Sequence, residues 1–161
     1  VLDRKNKKAY CCLSPRSDEK LFRKFCEELN YKPVVFRAFQ EGYPVYHTNV
    51  IMSIGEKRAV ICLESVTDSE EREILRKELE ESGKEIIEIS LEQVKNFLGN
   101  ILELRGKDGK RFAVMSETAY KSLNEEQKNM ILKDTDILYS NVETIEYYGG
   151  GSARCMIGEI F

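Results

Sequence analysis

A chain of 161 residues, 42% hydrophobic and 33% charged, is long enough to bury a core and by length is one domain. Its formal net charge of −3 and the lack of any basic-aromatic stripe give no electrostatic case for nucleic acid or an anionic membrane as partner, and no apolar run approaches the ~20 residues that span a bilayer. Five cysteines without a CxxC pair, and one histidine, exclude a common zinc set; they read as reduced cysteine usage, so a cytoplasmic location with no metal or organic cofactor is expected.

The chain repeats itself. Residues 1–31 align without gaps on residues 51–81, so that Ala9 meets Ala59, Cys12 meets Cys62, Leu13 meets Leu63 and Asp18 meets Asp68. The helix-face residues Phe25 and Leu29 meet Leu75 and Leu79. Each unit reads as strand, turn, strand, helix, strand. In the best-defined unit the β-branched run over 45–54 predicts a first strand and Gly55-Glu56-Lys57 a turn. Residues 58–65 follow as a continuous apolar strand. Asp68 is the expected N-cap, with Glu71 completing an Asp version of the capping box. Ile74, Leu75 and Leu79 form the buried stripe, Gly83 stops the helix, and residues 85–90 make the last strand.

A third copy begins near Gly99, where Asn100-Ile101-Leu102-Glu103 matches Asn49-Val50-Ile51-Met52 and Ala113-Val114-Met115 matches Ala59-Val60-Ile61. A fourth is only begun, with Arg154-Cys155-Met156-Ile157 in the place of Thr48-Asn49-Val50-Ile51. Asn49, Asn100 and Cys155 are therefore equivalent positions. The units run approximately over 1–40, 41–95, 96–148 and 149–161, broken at both ends. A unit this small cannot bury its sheet alone. The chain is expected to be the C-terminal part of a longer α/β protein whose missing N-terminal part closes the array into a ring.

The chemistry concentrates at the end of the chain. Gly149-Gly150-Gly151-Ser152-Ala153-Arg154 leads into Cys155, and glycines let other groups approach a following side chain closely. The lone histidine, His47, lies in Tyr46-His47-Thr48-Asn49, and one thiol with one distant imidazole is a candidate nucleophile pair. A buried strand cysteine is the alternative for Cys155. Arg154 either grips a substrate carboxylate or braces the glycine loop through carbonyls; on one strand it would point opposite to Cys155. Asn49, Asn100 and Gly151 are candidates to line the substrate site, the asparagines alternatively bonding backbone at strand starts. Cys11, Cys12, Cys26 and Cys62 read as packing. Tyr147 and Tyr148 read as strand-end packing, and Glu64 and Glu117 as capping or surface residues.

The stretches Tyr46-His47-Thr48-Asn49-Val50, Phe97-Leu98-Gly99-Asn100-Ile101-Leu102-Glu103-Leu104 and Gly149-Gly150-Gly151-Ser152-Ala153-Arg154-Cys155-Met156 resemble the guanidino-group-modifying superfamily of arginine deiminases, dimethylarginine dimethylaminohydrolases and amidinotransferases. The likeness is strongest to bacterial amidinotransferase-like, citrulline-utilisation hydrolases. It implies a five-unit α/β propeller (the pentein fold), of which this chain is the C-terminal part, and a small guanidino or ureido substrate. It also implies a Cys-dependent hydrolase working through a covalent thiol intermediate, without metal or cofactor, with Cys155 as nucleophile and His47 as acid and base. An amidinotransferase with the same covalent step, or a non-catalytic propeller binding module, are the alternatives. Deiminases carry Asp where this chain has Asn49, and the family's acid falls upstream of Val1. An oligomer is possible.

Overall fold

The computed structural model describes residues 1–159, so the last two positions of the unit expected over 149–161 lie outside the described residues. The elements follow one another as β1 (Leu2–Asp3), β2 (Lys8–Cys12), α1 (Glu19–Glu28), β3 (Lys32–Phe36), β4 (Phe39–Gln40), β5 (Tyr43–Pro44), β6 (Met52–Ile54), β7 (Arg58–Ile61), α2 (Ser69–Glu81), β8 (Glu85–Glu88), α3 (Leu91–Lys95), β9 (Leu102–Arg105), β10 (Arg111–Ser116), α4 (Glu117–Ser122), α5 (Glu125–Leu132), β11 (Asp136–Ser140) and α6 (Glu143–Gly149).

The repeat is visible as three small sheets of one design, ordered β1-β2-β3, β6-β7-β8 and β9-β10-β11. In each, the first two strands form an antiparallel pair and the third joins in parallel through a helical crossover. The pairing shifts from unit to unit: the equivalent alanines Ala9, Ala59 and Ala113 face Leu2, Ile54 and Glu103. This is a mixed α/β fold with the expected strand-strand-helix-strand order. Among the described residues the sheets form no closed barrel.

Local chemistry explains the helix starts. Asp18 accepts from the Leu21 amide at 2.8 Å, and Asp68 accepts from the Glu70 and Glu71 amides, both at 2.9 Å. The Glu71 carboxylate, expected to reach back to the cap, instead takes the Arg37 amide at 2.6 Å and its guanidinium at 2.7 Å. A carboxylate beside a cation and an unpaired amide finds more there than at a cap already occupied. Full capping boxes occur at Ser90 with Gln93 and at Asn124 with Gln127. The β4–β5 hairpin turns through Glu41 and Gly42 at φ values of 52° and 82°, the both-positive pair of a type I′ turn.

The core centres on the middle unit, because it has a neighbour on either side. Helix α2 packs on its own β8 and on β3 of the unit before it, and Leu75 and Leu79 are fully buried. Ile74, expected in that stripe, is 56% exposed, since it lies a residue off the line joining Leu75 and Leu79. The corresponding positions on α1 are uncovered: Phe25 is 38% and Leu29 51% exposed. Three strands are shorter than expected; β8 ends at Glu88 and not at residue 90. The chain over 45–54 becomes strand only from Met52, and the run over 58–65 ends as strand at Ile61 before a 3₁₀ turn at Leu63–Ser65.

Candidate active site

His47 sits at the head of a 3₁₀ turn, Thr48–Val50, closed by Val50 N–H to His47 O at 3.1 Å and Ile51 N–H to Thr48 O at 3.2 Å. The buried Thr48 hydroxyl accepts from the Cys12 amide at 2.9 Å, which pins the turn to the end of β2. That bond keeps the apolar run from continuing as strand and leaves the imidazole exposed. The Tyr46 ring stands edge-on to the His47 ring with centroids 4.9 Å apart. Its hydroxyl donates to the Gly150 carbonyl at 3.3 Å, joining the histidine segment to the glycine loop.

The loop is built on α6. Gly150 caps that helix at φ 65°, a left-handed conformation that glycine adopts without steric cost. The buried Ser152 donates its hydroxyl to Glu146 Oε1 at 2.6 Å, and Thr118 donates to Oε2 of the same carboxylate at 2.7 Å. Cys155 then falls in a 3₁₀ turn, Ala153–Met156, and not on a strand, the alternative reading of this residue, because Cys155 N–H bonds Ser152 O at 3.0 Å and turns the chain. At Gly151 the packing is tight: an added Cβ would lie 3.1 Å from Cys155 Cβ and 3.2 Å from its sulfur. Tyr147 and Tyr148, expected to pack at a strand end, stand on α6 with 80% and 82% of their surface exposed.

A cavity of about 540 Å³ is lined by Arg154 with residues of β1, β6 and β9, whereas a second, of about 610 Å³, is lined by His47, Asn49, Asn100, Gly151 and Cys155. Five of the six candidate residues thus share one cavity, and Arg154 is parted from them. Its Nη1 donates to Ile101 O at 3.4 Å and to Ser53 Oγ at 3.5 Å, a bracing geometry, and burial pushes its guanidinium below its ordinary value. The Cys155 sulfur accepts from Asn100 Nδ2 at 3.2 Å and from Asn49 Nδ2 at 3.6 Å. Cys155 is the exposed cysteine; Cys11, Cys12, Cys26 and Cys62 are buried, and burial drives the thiols of Cys12 and Cys62 up to about 11.

The sequence of the family described as N,N dimethylarginine dimethylhydrolase, eukaryotic, matches over residues 1–161. The chain belongs to that family. It lies within the superfamily that the His47 and Cys155 segments resemble. No curated protein matches it. Among solved structures it is similar to the apo form of ArgZ, an arginine dihydrolase of the ornithine-ammonia cycle in cyanobacteria, with a TM-score of 0.74 and 14% identity. It is also similar to the substrate-bound N-terminal domain of ArgZ, in a cysteine-to-serine mutant, with a TM-score of 0.70 and 15% identity. Both likenesses cover 96% of this chain but only 23% and 52% of the ArgZ chains. At such identities the likeness is one of fold.

The cavity of this dimethylhydrolase-family chain also takes residues that sequence reasoning missed: Arg16, Gln40, Tyr46 and Lys95. The Arg16 guanidinium lies 5.3 Å from the centre of the Tyr46 ring and, among the described residues, pairs with no carboxylate. Lys95 is held by Glu41 at 2.7 Å. Tyr46 was open to detection as the neighbour of His47; Arg16 had no local signal. No carboxylate lines the cavity among the described residues, nor do three or more His, Cys, Asp or Glu side chains gather as metal ligands would. No helix is long and apolar enough to cross a membrane.

Proposed function

We propose that this chain carries the nucleophile and the acid-base residue of a hydrolase that breaks a C–N bond of a small guanidino compound. The observation that carries this reading is the cavity in which an exposed thiol, Cys155, and an exposed imidazole, His47, share one wall system with a close-packed glycine beside the sulfur. Family membership supports the substrate class.

The guanidinium carbon is electron-poor but resonance-stabilised, so a thiolate attacks it far better than water does. The Cys155 sulfur forms a bond to that carbon, and the tetrahedral centre expels an amine that leaves with the His47 proton. A thiouronium intermediate remains on Cys155. His47, now neutral, takes a proton from water as the water oxygen bonds to the same carbon. Collapse breaks the C–S bond, releasing a ureido product and the thiolate. Overall one water is consumed and one amine released.

Arg16 supplies a cation at the cavity for the carboxylate of an amino-acid substrate. Among the described residues no carboxylate lines the cavity to clamp the guanidinium. The uncovered stripe of Phe25 and Leu29 on α1, matching the buried Leu75 and Leu79 of the next unit, supports a preceding unit that completes a propeller.

The test is incubation of the full-length protein with arginine, N-methylated arginines, citrulline and agmatine. A mass adduct on Cys155, a released amine and loss of both in Cys155→Ala are expected. Turnover that survives Cys155→Ala would end the proposal.

A further inference from the structure

Helices α1, α2 and α3 end on one motif. In each, the residue after the cap turns left-handed, and two backbone bonds close back over the last turn. At α1 they run from the Asn30 amide to Glu27 O at 3.3 Å and from the Tyr31 amide to Cys26 O at 2.7 Å. At α2 they run from Gly83 to Glu80 O at 2.8 Å and from Lys84 to Leu79 O at 3.1 Å. At α3 they run from Phe97 to Val94 O and from Leu98 to Gln93 O, both at 3.0 Å. The turning residues, Asn30, Gly83 and Phe97, have φ values of 56°, 69° and 61°. Glycine takes this conformation freely, and asparagine visits it because its short polar side chain bonds locally. Phenylalanine has neither property, and a bulky side chain there is a backbone outlier. Of the four non-glycine residues at positive φ among the described residues, Lys7, Asn30, Glu41 and Phe97, it is the apolar one.

Core packing does not account for the choice. Phe97 is half-buried, and among the described residues it belongs neither to the hydrophobic core nor to the partly buried apolar residues set against it. Its neighbour Leu98 fills the core instead. Phe97 lines the cavity of His47 and Cys155, where it is the largest apolar residue, beside Val50 and Val94. A residue held against its own backbone preference at the wall of a site points from strain to function. Sites for small molecules set a few polar groups in an apolar surround, and here the polar groups already have the guanidinium head and a carboxylate to meet. The carbon stem between them needs apolar surface.

We infer that Phe97 is a specificity-determining residue whose ring forms the apolar wall for the hydrocarbon stem of the guanidino substrate. This rests on the cavity being a guanidino site. The ring selects by the length of the stem and leaves the head group to His47 and Cys155. The left-handed turn that carries it also delivers Asn100 to the same cavity, through the Asn100 amide on Phe97 O at 2.8 Å. Glycine or asparagine at position 97 would make that turn with less strain but would leave the wall bare.

The experiment uses the full-length protein and reads occupancy of the cavity without any need for turnover, as protection of Cys155 from alkylation by iodoacetamide, followed by mass. The four other cysteines of the segment are buried, and Cys155→Ala is the blank. Methylguanidine and butylguanidine are the probes, because they share one head group and differ only in the carbon stem. In the parent, butylguanidine is expected to protect at a concentration on the order of tenfold below that of methylguanidine. Phe97→Asn keeps the left-handed turn, as at Asn30, and removes the ring. Its ratio should fall to about threefold or less, with the methylguanidine value unchanged, whereas Phe97→Tyr should keep the parent ratio. A folded Phe97→Asn with the parent ratio would show that the ring does not meet the stem and overturn the inference. Should that variant not fold, Phe97→Gly, matching Gly83, takes its place with the same expected ratio. Failure of both to fold would show that Phe97 serves the fold and would also overturn the inference. If neither guanidine protects Cys155 in the parent, the guanidino reading of the cavity itself fails, an outcome distinct from a variant that discriminates as the parent does.

Discussion

The hydroxyl of Ser152 donates to Oε1 of Glu146 at 2.6 Å, and both residues are buried. This bond ties the segment carrying Cys155 to the last turns of α6, while Thr118 ties the other carboxylate oxygen to α4. The glycine run gives the segment freedom; Glu146 removes it again on either side of the loop. Glu146→Ala would leave the buried Ser152 hydroxyl and the half-buried Thr118 hydroxyl without their acceptor, at a cost of about 1–3 kcal/mol each at most. Ser152→Ala should cost about 1 kcal/mol in denaturant unfolding and slow formation of the Cys155 adduct, with Glu146→Ala worse on both counts. Equal adduct rates in the parent and in Glu146→Ala would show that the loop needs no anchor.

Gly151 is the position where a single methyl group separates fold from chemistry. A Cβ there would press on Cys155 Cβ at 3.1 Å and on the sulfur at 3.2 Å. Those contacts require the thiol to move by a few tenths of an ångström, and small misplacements of a reacting group are costly in rate. Gly151→Ala is expected to change the unfolding midpoint little, because Gly151 is half-buried and the side chain it would press on, Cys155, is exposed, and to reduce adduct formation on the order of tenfold or more. Mass spectrometry of Cys155 against time checks the rate, and a melting curve checks the fold. An alanine variant with the parent rate would mean that the sulfur has room to spare.

Much of this arrangement was legible in residue spacing, for identifiable reasons. The repeat shows because Ala9 and Ala59, Cys12 and Cys62, and Asp18 and Asp68 occupy the same structural places, and burial and capping select the same residue types twice. The convergence of Asn49, Asn100 and Cys155 follows from that repeat. What escaped depends on distant partners. The turn at His47 is held by Thr48 on the Cys12 amide, 36 positions away, so an apolar β-branched run read locally looks like strand. Cys155 turns because Ser152 is fixed from α6, and Arg154 reaches Ile101 and Ser53 from the units before it. Arg16 carries no local mark at all: only the folded chain lays it on Tyr46 beside His47.

Asp134 joins the second and third units, and its acid behaviour follows from its partners. Its carboxylate pairs with Lys57 at 2.7 Å, with Arg111 at 2.9 Å and with the buried Arg58. Burial alone would raise the carboxyl, but hydrogen bonds from Lys57 and Arg58 and the charges of Arg58 and Arg111 outweigh it and hold the group well below the usual carboxylate range. In the unfolded chain the same carboxyl titrates near ~3.9. The folded state therefore binds fewer protons than the unfolded state between those two values. The contribution of Asp134 is fully present above the unfolded value and is lost as pH falls through the folded one. Asp134→Asn removes the negative charge from among three cations, two of them with side chains at most 14% exposed. A loss of up to about 3 kcal/mol at neutral pH is expected, limited by the partners that stay: Arg58 keeps Glu85 and Arg111 keeps Glu56. The difference between parent and variant should shrink steadily below pH ~4. Urea unfolding of both proteins at neutral and acid pH measures it, and a difference that stays constant into acid would mean that Asp134 acts through shape and not through its charge.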